Sequence, residues 1–89
     1  PIEARALTFQ PVRVRKQLEE AKAKDPDEPD PDERLREIAA EIANRLSNRP
    51  DAKTVLAKLN SKDTFAYLAR AVDPAVAEAI MAANPEIEA

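Results

Sequence analysis

From Leu35 to Leu46 the apolar positions fall at Leu35, Ile38, Ala39, Ile42, Ala43 and Leu46, the spacing that keeps one face of an α-helix apolar. Asp30 ahead of this run, Pro31 at the first helical position and Glu33 closing a capping box predict a helix over 31–47. The same logic predicts three more helices downstream. Pro50 opens one over 50–59 that buries Val55, Leu56 and Leu59. Ser61 caps another over 62–72, with Phe65, Leu68, Ala69 and Val72 facing inward. Asp73-Pro74 begins a third over 74–84, burying Val76, Ala77, Ile80 and Met81 until Asn84-Pro85 stops it.

The amino-terminal third reads in two ways. With Thr8 as N-cap, Leu7 and Val12 form a hydrophobic staple and Pro11 lies in the first turn of a helix over 8–24. Glu20–Lys24 and Glu19–Lys22 pairs support that helix. Alternatively, Leu7/Phe9 and Val12/Val14 alternate as a strand would. Pro11 interrupts that alternation and a lone strand lacks a partner, so the helix is preferred. Residues 25–30, Asp-Pro-Asp-Glu-Pro-Asp, form a stiff acidic linker, because each proline fixes its own backbone and restricts the residue before it. The expected fold is a single all-α domain over 1–89. It is compact and irregular, with four to five helices, several of them short and proline-initiated.

Composition sharpens this picture. The chain has 89 residues, enough for one hydrophobic core, and contains eight prolines and no glycine. At average usage a chain of this length lacks glycine about once in 600. Asn48, Asn60 and Asn84 stand where helix ends should fall, in the left-handed position that glycine usually takes. Local signals agree with one another so closely that the chain reads as a de novo designed helical protein, built for its fold. Leu68–Ile87, LARAVDPAVAEAIMAANPEI, resembles the leucine-rich variant repeats, and Asp30–Ala40 echoes its Asp-Pro half. That resemblance implies a stacked-helix arrangement. The Pro1-Ile2 start resembles the tautomerase family, which implies a catalytic amino-terminal proline, although the helical continuation departs from that family's strand–helix–strand order.

Candidate chemistry is sparse. There is no cysteine and no histidine, so no thiolate, no disulfide and no common metal ligand or general base. Ser47 and Ser61 are the two serines, and neither has a histidine to activate it. Lys58, between Leu56 and Leu59, reads as a solvated lysine near a helix end. The acidic stretch 25–33 does not fit a calcium loop, since counting from Asp25 the sixth and twelfth positions hold Asp30 and Arg36. No enzyme activity, cofactor or metal is expected. No run approaches the ~18 apolar residues of a membrane span and no targeting signal opens the sequence, so a soluble protein compatible with cytoplasmic expression is expected.

The formal net charge of −3 is uneven: residues 1–24 are basic, 25–47 strongly acidic and 48–89 nearly balanced. That balance argues against nucleic-acid binding, which draws its affinity from neutralised phosphates. Arg13, Arg15 and Lys16 cluster in the basic third. Tyr67 lies about 160° from the midline of its expected helical stripe, and Phe9 about 160° from Leu18. No partner is required by the fold. A protein partner, if one exists, is expected at Phe9, Val12, Arg13 and Arg15 or at the Tyr67 face.

Overall fold

A computed structural model describes residues 4–88. In chain order the elements are β1 (Arg5–Phe9), α1 (Pro11–Lys24), α2 (Pro31–Arg45), α3 (Ala52–Leu59), β2 (Ala66–Val72) and α4 (Pro74–Ala83). The all-α expectation is therefore corrected: the fold is mixed, four helices with a two-stranded antiparallel sheet. The helix expected over 62–72 is a strand. The helix expected from Thr8 starts instead at Pro11, because the residues before it pair with β2. Pro11 does not interrupt the strand, which has already ended at Phe9. The stacked helices implied by the leucine-rich variant resemblance are likewise absent among the described residues, since Leu68–Val72 is extended. Pro1 and Ile2, on which the tautomerase resemblance rested, lie outside them.

Three helices begin with a proline, whereas the helix expected to open at Pro50 starts at Ala52 behind Asp51. Pro11, Pro31 and Pro74 each occupy the first turn, where a missing N–H costs nothing. Caps differ from expectation in detail. Gln10, not Thr8, precedes α1, and Asp30 makes no side-chain cap bond. Asp51 and Asp73 do cap, accepting from the Thr54 and Ala75 amides at 2.8 Å. Of the three asparagines expected to be left-handed, Asn48 is (φ 60°), preceded by Ser47 at φ 56°. The Asn48 amide donates to Ala43 and the Ser47 amide to Asn44, closing α2 as glycine usually does. Asn60 and Asn84 have negative φ.

The core draws on every element. Leu7 and Phe9 of β1 and Leu68 and Val72 of β2 join the α2 stripe Leu35, Ile38, Ala39 and Ile42. Val14, Val55, Leu59, Ala77, Ile80 and Ile87 complete it. Each large apolar side chain so buried contributes roughly 1.5–3 kcal/mol of transfer free energy. Lys22, expected to pair with Glu19, instead donates to the carbonyls of Pro26 and Glu28 and lies 3.9 Å from Asp30, tying the acidic linker to the end of α1.

The carboxyl-terminal segment is clasped onto this core. Arg34 of α2 holds Glu86 in a two-point ion pair, with Nε and Nη2 each 2.9 Å from a carboxylate oxygen. Ile87 is thereby seated in the core, and Glu88 exchanges backbone hydrogen bonds with Thr8 on the side of β1 away from β2. Asn84 is fully buried, its amide nitrogen donating to the Ile80 carbonyl at 2.9 Å.

Burial pushes the Glu86 carboxyl up, but the Arg34 guanidinium outweighs it and leaves the group below its ordinary 4.5. A carboxyl whose folded value is depressed stabilises the fold fully above its unfolded value, and that contribution is lost as pH falls through the folded value. Glu86→Gln should cost about 1–2 kcal/mol at neutral pH. In urea titrations, the gap between Glu86→Gln and the parent should shrink as pH drops below 4.5. A gap independent of pH would show that the ion pair is not what holds this segment.

Candidate docking face on strand β2

Strand β2 is longer than its partner and accommodates the excess in two bulges. Arg5 pairs with Val72 and Leu7 with Ala69, so β2 carries one extra residue there; Thr8 pairs with Tyr67, which adds a second between Leu7 and Thr8. Ala71 lies in the first bulge at φ 57°, a left-handed backbone that glycine would adopt freely and that costs alanine about 1–2 kcal/mol. The bulge leaves Arg70 and Ala71 exposed while Leu68 and Val72 stay in the core.

On the exposed side, Phe65 and Tyr67 meet edge to face, ring centroids 5.0 Å apart. They are 49% and 42% exposed, among the most accessible large apolar side chains. The Arg70 guanidinium lies over the Tyr67 ring, 4.0 Å from its centroid. Arg70 also borders a groove formed by Arg45, Leu46, Ser47 and Arg49 at the end of α2, by Ala69–Asp73, and by Val76 of α4. Its volume is about 250 Å3, less than a small-molecule site usually offers. Two of its wall residues, Ser47 and Ala71, have left-handed backbones, the strained geometry that tends to collect at functional surfaces.

The expected site residues are scattered. Tyr67 is exposed, on the outer face of a strand rather than off-stripe on a helix. Phe9 is 1% exposed and lies in the core, so it presents nothing to a partner. Its alternation with Leu7 puts both on the inner face of β1. Val12 is exposed on α1, beside Asn60, Ser61 and Lys62. Arg13 bonds the Gln10 side chain at 3.2 Å. Arg15 bridges α1 to Asp32 of α2 at 3.1 Å and to Asn60 at the end of α3, a role in holding elements together. Phe65, expected to face inward from a helix, is instead exposed just before β2, and Arg45, Arg49 and Arg70 carry no signal in the sequence. One signal did point to the face: two aromatic residues two apart in extended chain fall on one side.

Among the described residues no group of three or more potential ligands is placed to hold a metal ion, and no helix is long and apolar enough to cross a membrane. The described residues form an elongated mixed α/β unit, 46 × 23 × 20 Å, with an exposed aromatic and basic face at β2. No protein-family model matches the chain, and no solved structure matches it. Two natural proteins do. Over 88 residues, 99% of this chain, it is 65% identical to penicillin-binding protein PbpB of Mycobacterium tuberculosis, covering 13% of that protein. It is 66% identical to penicillin-binding protein PbpB of Mycolicibacterium smegmatis, with 97% of this chain aligned to 14% of the relative. The chain thus spans about one eighth of the length of the curated relatives it matches. These relatives overturn the expectation of a de novo design: the sequence is natural, and agreement of its local signals has another origin. Where a designer would set glycine, this chain uses Ser47, Asn48 and Ala71.

The strain at Ala71 is measurable. Ala71→Gly should raise stability by about 0.5–1 kcal/mol, since relief of the left-handed backbone exceeds the added entropy of the unfolded chain. A urea midpoint lowered by this substitution would place Ala71 outside the left-handed region.

Proposed function

We propose that this chain is a non-acylating docking region of a penicillin-binding protein, and that its β2 face engages another protein. The similarity to PbpB supports the setting, and the exposed Phe65–Tyr67 pair carries the docking reading. The sequence argues against the acylating role. Penicillin acylation uses a serine that opens a Ser-x-x-Lys motif, together with Ser-Asp-Asn and Lys-Thr-Gly elements. Here Ser47 is followed by Asn-Arg-Pro and Ser61 by Lys-Asp-Thr, and a chain without glycine has no Lys-Thr-Gly. Neither serine has a basic neighbour placed three residues on.

An aromatic pair at the start of β2 binds at low entropic cost, because aromatic side chains have few rotamers to freeze on association. Arg70 stacked on Tyr67 adds a second residue type enriched at interfaces.

Two measurements test this reading. Fluorescent penicillin should leave the 89-residue chain unlabelled, whereas a covalent adduct would contradict the non-acylating assignment. In cells making a full-length relative that carries this chain in place of its matching segment, a photo-crosslinking amino acid in place of Tyr67 should give discrete protein adducts. The same substitution at Lys53, exposed on α3, should give none. Equal yields at the two positions would remove the β2 face as the docking surface.

A further inference from the structure

Resting on that reading, we infer that the partner's contact segment is an extended, acidic peptide, seated in the groove between the end of α2 and β2 with its carboxylates on Arg49 and Arg70. Charge carries this choice. The chain as a whole is net negative, yet the groove gathers Arg45, Arg49 and Arg70 around Leu46, Val72 and Val76. Among the described residues no carboxylate pairs with Arg49 or Arg70, whereas Arg45 is held by Glu41 at 3.2 Å. The one acidic residue in the groove, Asp73, has its carboxylate committed to the Ala75 amide at the start of α4.

Two unpaired guanidinium groups flanking an apolar floor match a segment that alternates acidic and apolar side chains, the pattern of an extended strand. The shallow volume suits side chains of a peptide rather than an enclosed small molecule. Arg70 links the two halves of the surface: one side of its guanidinium lies on Tyr67 and its position borders the groove. A peptide carboxylate reaching Arg70 therefore brings the peptide against the Phe65–Tyr67 pair as well.

The test uses fluorescence anisotropy of the 89-residue chain with two fluorescein-labelled decapeptides, one alternating glutamate and valine, the other lysine and valine. The glutamate peptide should bind at least tenfold more tightly than the lysine peptide, and less tightly as ionic strength rises. An Arg49→Ala/Arg70→Ala double variant should weaken it at least tenfold with an unchanged thermal midpoint, and Tyr67→Ala should weaken it too. Absence of binding by the glutamate peptide overturns the inference. If Tyr67→Ala weakens both peptides while the arginine variant changes neither, the docking face stands and the acidic partner does not. Sedimentation with phosphatidylglycerol vesicles that matches peptide binding and is lost in the arginine variant would overturn it in favour of a lipid surface.

Discussion

The structure depends on one long-range constraint, the antiparallel pairing of Arg5–Phe9 with Ala66–Val72. Neither strand is stable alone: a five-residue strand has no intrinsic partner, and a two-stranded ribbon in water is marginal. Pairing becomes favourable here because it delivers Leu7, Phe9, Leu68 and Val72 to the same apolar cluster that α2 presents. The α2 stripe from Leu35 to Ile42 packs chiefly against α3, and the ribbon's side chains extend the same cluster. Ordering the chain between the two strands carries a loop-closure cost that grows slowly with length, so the burial gained at the ribbon readily offsets it. Glu88 on the opposite side of β1, held by the Arg34–Glu86 ion pair, then leaves both sides of Thr8 occupied.

Much of the helical part was legible in the sequence, and for reasons that remain correct. Leu35 to Ile42 repeats without interruption, and proline and aspartate mark the starts of α2 and α4, so α2 to Arg45 and α4 to Ala83 match within two residues. Strand β2 was not legible. Ala66–Val72 is rich in alanine, leucine and arginine, good helix formers, and its apolar residues happen to recur at three and four. Two bulges break the period-two alternation that would have betrayed a strand, since Arg70, midway between the buried Leu68 and Val72, is exposed. Tertiary pairing overrode local propensity. At β1 the strand signal from Leu7 and Phe9 is present, but Pro11 follows it closely and its partner lies some sixty residues on.

The candidate site follows from the same irregularity. A regular strand would have given β2 one clean inner and one clean outer row. The extra residue at Ala71 instead exposes two consecutive positions and sets Arg70 beside both the Tyr67 ring and the end of α2. Absence of glycine makes this costly rather than free, as alanine holds the left-handed position under strain. Tyr67 was visible in the sequence as an aromatic residue off the apolar face. Its basic surroundings were not, because Arg45 and Arg49 come to Arg70 only through the fold. Phe9 misled for the opposite reason: measured against a helix it looked displaced from the core, and on a strand it belongs there.

Backbone chemical shifts of residues 66–72 in the isotopically labelled chain test the central claim most directly, together with cross-strand contacts to β1. Extended-type Cα and Cβ shifts from Ala66 to Ala69, with nuclear Overhauser contacts joining Thr8 to Tyr67 and Leu7 to Ala69, are the predicted result. Ala71 should stand out with a left-handed signature between them. Helical shifts running unbroken through this segment, without contacts to β1, would contradict the account.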